Sequence, residues 1–267
     1  ENNMNSKQEK LDSFARLLDI MDNLRANCPW DKKQTFESLR HLTIEETYEL
    51  AGAILEGNAS EIKKELGDLL LHIVFYSKLG SEEGTFDIAD VANCISEKLV
   101  FRHPHIYGNM IVEDENEVKK NWENLKLKEG KNSILDGVPT GLPSLVKAMR
   151  IQEKSASVGF DWDSKEQVWS KVEEEIIEFK EEVLKGNKKN TEEEFGDILF
   201  SLINYARFLK INPDTALEQV NQKFIKRFNS IESRAKKLNK SISDLSLQEM
   251  ENFWEESKNQ SSLSDNS

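Results

Sequence analysis

Eight acidic residues fall into two sets with one internal pattern: Glu46, Glu49, Glu65 and Asp68 in the first half of the chain, and Glu175, Glu178, Glu194 and Asp197 in the second. In an α-helix, positions i and i+3 lie about 60° apart around the axis, so each EExxE or ExxD presents two carboxylates on one helix face. A short stretch containing Gly57-Asn58, or Gly186-Asn187, separates the two motifs of each set. Helices joined so briefly form an antiparallel hairpin, and acidic pairs facing each other across it make a four-carboxylate cluster. Without a counter-ion that cluster repels itself, and partial burial disfavours its ionised form further. A divalent cation removes the penalty. Oxygen donors with no accompanying Cys or His suit Mg2+, with Mn2+ as a substitute, over Zn2+.

A single EExxE is most often a solvated helix face. Repetition changes that reading. Shifted by 129 residues, Glu45, Glu46, Glu49, Leu55, Gly57, Asn58, Glu65, Gly67, Asp68, Leu70 and Tyr76 meet the same residue types at Glu174, Glu175, Glu178, Leu184, Gly186, Asn187, Glu194, Gly196, Asp197, Leu199 and Tyr205. Generic amphipathic helices share Leu and Glu by chance, whereas turn residues and acid spacing kept together over one ungapped window indicate an internal duplication. Gly67 and Gly196 sit inside the ExxD motifs, where glycine costs roughly 1 kcal/mol in a helix. A small residue there is expected to permit close helix approach beside the acids.

The elements that must position these acids are helical. Phe14, Leu17, Leu18, Met21 and Leu24, and later Leu66, Leu69, Leu70, Ile73 and Val74, recur at spacings of three and four, the stripe of an amphipathic helix. Alternation of period two is missing, so the fold class is all-α. Gly57-Asn58 and Gly186-Asn187 read as helix stops, with Ser60 expected as the next N-cap and Thr191 preceding the second acidic run. In SILDGVPTGLPSL, Gly137, Pro139, Gly141 and Pro143 interrupt helix formation. The expected organisation is therefore an N-terminal helical domain over 1–125, a linker over 126–147, a C-terminal helical domain over 148–258 and a disordered Ser/Asn-rich tail over 259–267.

Composition narrows the partners. With 49 Asp and Glu against 36 Lys and Arg, the net charge of −13 repels polyanions and argues against a general nucleic-acid binder. A small phosphate ligand would need a local cluster of Lys and Arg or a bridging cation. No stretch of about 18 apolar residues is available to span a membrane, the opening ENNMNSKQEK is polar with no signal-peptide pattern, and only Cys28 and Cys94 are present. A reduced, cytoplasmic protein is the expectation.

The motifs EETYE with ELGD, and EEEIIE with EFGD, resemble the EExxE…ExxD signature of the MazG family of nucleoside triphosphate pyrophosphohydrolases. NCPWDKKQTF and FRHPHIYG, flanking the first set, are similar to the N-terminal half of tandem-repeat MazG proteins, and VGFDW to the start of the C-terminal half, so the resemblance covers most of the chain. It implies two tandem MazG-like helical bundles of the all-α NTP pyrophosphatase superfamily, in a domain-interlocked homodimer. It also implies a Mg2+-dependent nucleoside triphosphate diphosphatase that converts an NTP or dNTP to monophosphate and pyrophosphate, a nucleotide-pool house-cleaning activity. The family's metal ligands fall on the same eight acids, and Glu45 and Glu174 become the acids that orient or deprotonate the attacking water. Lys223, Arg227 and Trp254 match the family's nucleotide contacts. Lys223 and Arg227, at i and i+4, share a helix face that can reach one polyphosphate, and Trp254 offers a face to a base. Lys98, Arg102 and Trp122 form a similar set in the first half at different separations from the acids. The C-terminal half matches the family more fully and is expected to carry the turnover.

Other residues read more plainly. The proline between His103 and His105 favours a turn over a metal site, and Cys28 and Trp30 of CPWD read as helix-start and packing residues. Three rival functions frame the main one: a narrow dUTP- or dCTP-directed pyrophosphatase, a non-catalytic helical dimerisation or regulatory module, and an acidic nucleic-acid mimic, for which the long unpaired acidic surface is missing.

Overall fold

The computed structural model describes residues 4–110 and 133–264. These residues form α-helices and short 3-10 turns with no strand among them. The chain divides into two compact units, residues 1–113 and 114–267.

The first unit holds α1 (Lys7–Asn27), α2 (Phe36–Glu56), α3 (Ala59–Glu82), α4 (Ile88–Arg102) and the single turn α5 (Pro104–Tyr107). A Ser6–Glu9 capping box starts α1 and a Thr35–Ser38 box starts α2. One dipeptide both ends α2 and begins α3. Gly57 takes the left-handed conformation, φ 68°, that an L side chain resists, and Asn58 accepts hydrogen bonds from the Ser60 and Glu61 amides. The N-cap is thus Asn58 rather than Ser60, because the helix starts two residues earlier. Met21, Leu39, Val74, Phe75 and Leu79 form the core that packs α1 and α2 on α3. Arg25 fastens the end of α1 by donating to the Glu82 carboxylate on α3 and to the Asp31 carbonyl. Cys28 is the C-cap of α1, so CPWD closes a helix, and Trp30 is 54% exposed instead of packed.

The second unit begins, within the described residues, with a 3-10 turn at Ile134–Gly137, followed by α6 (Ser144–Ala156), α7 (Lys165–Lys185), α8 (Lys188–Phe208), α9 (Pro213–Lys237) and α10 (Leu247–Ser264). Pro143 immediately precedes α6, as expected of a residue that stops helix extension backwards. The α7/α8 hairpin repeats the earlier turn, with Gly186 at φ 72° and Asn187 accepting from the Asn190 amide. Thr191 lies inside α8, where its hydroxyl donates to the Asn187 carbonyl. Asp161 of VGFDW pairs with Arg207 near the end of α8, fixing the segment that leads into α7. Ile231, Ala235 and Leu245 make a second small core, against which Met250, Phe253 and Trp254 of α10 pack.

Two expectations about packing change. Gly67 and Gly196 face open space, since a Cβ built on either meets nothing within 4 Å. They permit no close helix approach within their own unit. The apolar stripe of α3 is also divided: Val74 is buried, while Leu66, Leu70 and Ile73 are exposed. Their counterparts under the 129-residue shift, Phe195, Leu199 and Leu202, are exposed as well. Among the described residues no helix is long and apolar enough to cross a membrane.

Candidate metal and nucleotide site

Each helical hairpin brings its acids together. Carboxylate oxygens of Glu46, Glu49 and Glu65 all lie within 4.8 Å of one another, and so do those of Glu175, Glu178 and Glu194. In both repeats the EExxE helix supplies two of these oxygens and the ExxD helix the third. Asp68 and Asp197 stand outside the two groups, their side chains being one methylene shorter, but act on them through space. Burial, then the charges of Asp68, Glu49, Glu65 and Glu45, raises the Glu46 carboxyl above its ordinary range. Glu194 is raised by burial and then by Glu178, Asp197 and Glu175, and Asp197 by burial and then by Glu175 and Glu193. These are the shifts expected of crowded, partly buried carboxylates.

The acids differ in depth. Glu65 is 3% exposed and Glu175 is 6% exposed, whereas Glu49 and Glu178 reach solvent. The Glu65 Oε1 accepts from Lys64 at 2.8 Å, and its Oε2 is buried with no partner. A buried carboxylate oxygen left unpaired beside two further carboxylates, with no nitrogen or sulfur donor in the set, suits a hard divalent cation. Glu45 and Glu174 lie at the exposed margins, and Glu174 accepts from Lys171 at 2.9 Å.

The layer beneath the clusters differs between the repeats. In the first, the Thr43 hydroxyl lies 3.0 Å from His72 Nδ1 and 2.7 Å from the Tyr76 hydroxyl, and burial lowers the His72 pKa against the opposing charge of Asp68. In the second, the positions of Thr43 and His72 are taken by Val172 and Ser201.

The basic and aromatic candidates assemble in part. The Arg227 guanidinium sits 5.5 Å from the Trp254 ring centroid, and Trp254 meets Phe224 at 5.0 Å. These rings border a cavity of about 580 Å³ that Phe228, Ile231 and Met250 also line. Arg227 Nε is buried without a partner. Lys223 is exposed on the same helix, and α9 touches α8, the helix of Glu194 and Asp197. In the first half, Lys98 is exposed on α4 and Arg102 is half-buried at its end, while Trp122 lies outside the described residues. The His103 ring bonds the Leu99 carbonyl at 2.6 Å, in keeping with a turn.

The MazG nucleotide pyrophosphohydrolase domain matches this chain twice, over residues 34–107 and 163–231, and so contains both hairpins. The chain belongs to the MazG family. A Thermotoga maritima relative named nucleoside triphosphate pyrophosphohydrolase/pyrophosphatase MazG is 41% identical over 250 residues, covering 92% of this chain and 95% of that protein. An Escherichia coli nucleoside triphosphate pyrophosphohydrolase is 39% identical, covering 94% of this chain and 98% of its own. The Bacillus subtilis protein YabN is 45% identical over 260 residues, which are 94% of this MazG chain and 53% of YabN.

Residue types and spacing did not single out Lys171 or Lys64, which among the described residues pair with acids of the clusters. Lys171 precedes Glu174 and Glu175 by three and four residues, the spacing of helix-face ion pairs. That rule could have found it.

Proposed function

We propose that this MazG protein hydrolyses nucleoside triphosphates between the α- and β-phosphates, giving a monophosphate and pyrophosphate, with Mg2+ or Mn2+ held by Glu46, Glu49, Glu65 and Asp68 in one half and Glu175, Glu178, Glu194 and Asp197 in the other. The observation that carries this reading is the gathering of three carboxylates within 4.8 Å in each repeat, one of them with a buried unpartnered oxygen in the first. Such an ion supplies charge neutralisation on the triphosphate and polarises the α-phosphorus and the attacking water. The buried Glu65 and Glu175 would hold the ion from the interior side, and Glu49 and Glu178, which reach solvent, from the side a phosphate can approach.

Glu174, and Glu45 in the first half, take the proton as the water oxygen bonds to the α-phosphorus and the bond to the bridging oxygen breaks. Lys171 holds the Glu174 carboxylate at the rim. The charge of −13 gives the whole protein no attraction for a triphosphate, so Lys223 and Arg227 supply it locally. Trp254 and Phe224 stack the base. Stacking reads a π-face and not an edge, which favours a broad NTP and dNTP substrate range over a narrow dUTP or dCTP specificity. The C-terminal half, where acids, cations and aromatic cavity occur together, carries the main turnover.

A second chain completes the assembly as a homodimer. Leu66, Leu70 and Ile73, and Phe195, Leu199 and Leu202 after them, offer the same exposed apolar stripe on the ExxD helix of both repeats. Gly67 and Gly196 leave room above those helices for another helix.

The test is product analysis with a panel of canonical and modified triphosphates and Mg2+. Monophosphate plus pyrophosphate is expected, and diphosphate plus orthophosphate would refute the reaction. In the same assay Glu178→Gln should lower kcat on the order of 10²-fold while helical circular dichroism is kept, and Glu49→Gln should lower it less. The reverse ranking would move the main turnover to the first half.

A further inference from the structure

The two clusters meet their negative charge in different ways. Lys171 Nζ lies 2.9 Å from the Glu174 carboxylate and 2.9 Å from that of Glu175, so one ammonium spans the acid assigned the water's proton and the most deeply placed ligand of the second cluster. Its side chain is only 34% exposed. Under the 129-residue shift this position is Leu42, which packs on the core around Met21. The first cluster has its lysine on the opposite helix of the hairpin. Lys64 is 61% exposed and reaches a single oxygen of Glu65, and the other oxygen of that carboxylate remains buried without a partner.

The difference has a direction. A dication arriving at Glu175 must displace the Lys171 ammonium, breaking two charge-assisted hydrogen bonds, or bind with that charge a few ångströms away. At Glu65 an arriving cation instead meets a carboxylate oxygen that no hydrogen-bond donor holds. We propose that Lys171 is an internal counter-ion that competes with the divalent cation for Glu175, so that the second cluster loads metal at a higher concentration than the first in the nucleotide-free protein. This rests on the reading of both clusters as cation sites. One unit charge about 5 Å from a dication, even at the dielectric constant of water, weakens its binding on the order of tenfold.

Mn2+ titration of the full chain by calorimetry, without nucleotide, tests it. Two classes of site are expected, the tighter lost in Glu46→Gln with Glu49→Gln and the weaker lost in Glu175→Gln. Lys171→Met and Lys171→Gln should each tighten the weaker class on the order of tenfold and leave the tighter one unchanged. Lys171→Arg, which keeps the charge, should stay close to the unmodified chain. Circular dichroism should show native helical content in each variant, as the partial exposure of Lys171 favours. Equal affinities at the two clusters, or Lys171→Met and Lys171→Gln that leave the weaker class unchanged or weaken it, would overturn the counter-ion assignment alone. If Glu175→Gln removed no class of site, the cation reading of the second cluster would fall and this inference with it.

Discussion

Glu46, Glu194 and Asp197 keep their protons above the ordinary carboxylate range, through burial first and neighbouring acids second. Folding raises these pKa values, so the penalty is fully present above the raised values and is relieved as pH falls through them towards 4.5 for Glu and 3.8 for Asp. Glu82, Glu182 and Glu249 run the other way, pulled down by Arg25, Lys185 and Lys240, Glu249 to about 2. Their stabilisation is present above the ordinary range and is lost as pH falls through the lowered values. These raised acids should therefore return stability to the metal-free protein as pH falls from neutral towards their ordinary range, opposed by His72, whose lowered pKa costs stability as pH falls through 6.5, and the lowered acids should take stability away on further acidification. Saturating Mn2+ should raise the neutral midpoint most, because it lifts the same penalty, and should lose its effect as protons compete for the acids. The measurement is a thermal melt series with and without Mn2+, and a gap between the two midpoints that does not narrow as pH falls would contradict the assignment. The spacing of EExxE and ExxD was enough to place these acids on facing helices. It could not give their depth, because i and i+3 fix a direction around the axis and say nothing of what covers it. Hence the burial of Glu65 and Glu175 had to come from the structure.

The hairpins owe their geometry to Gly57-Asn58 and Gly186-Asn187. Each glycine adopts a left-handed backbone, φ 68° and 72°, and the asparagine after it caps the next helix. A Cβ there meets no neighbour but strains the backbone, so Gly57→Ala or Gly186→Ala should destabilise by about 1–2 kcal/mol. Asn58→Ala should cost about 1 kcal/mol. Urea denaturation gives both, and unchanged midpoints would show that the turn conformations contribute nothing. This punctuation was legible because glycine and asparagine have few reasons to follow a long amphipathic run other than to end it. The N-cap at Asn58 in place of Ser60 is a two-residue error at a helix boundary, where two capping residues stand close together. CPWD misled for a related reason: a tryptophan beside a proline suggests a buried corner, yet Arg25 and its carbonyl partners hold the corner, and Trp30 is left outside.

At the scale of the whole molecule, the apolar stripes misled most. Leu66, Leu69, Leu70, Ile73 and Val74 read as one core-facing row, but only part of that row turns inward. An apolar stripe reports that something covers it, and the sequence does not say whether that cover is the same domain or another chain. The duplication supplies the missing argument. Leu66, Leu70 and Ile73 in one repeat and Phe195, Leu199 and Leu202 in the other are exposed at equivalent positions, joined by Tyr48 and Ile177 and by Ile54 and Val183 on the partner helices. Two scattered sets of surface leucines would not coincide in this way, whereas a duplicated interface would keep the same face twice. Each repeat thus carries the same exposed apolar surface, the one proposed above to meet a second chain. The unmodified protein should sediment at twice its 30.7 kDa, and Leu66→Glu together with Phe195→Glu should shift it to the monomer mass with helical content kept, since neither side chain lies in a core cluster. Sedimentation of the unmodified chain as a monomer, or a variant that stays dimeric, would leave these stripes without the role assigned to them.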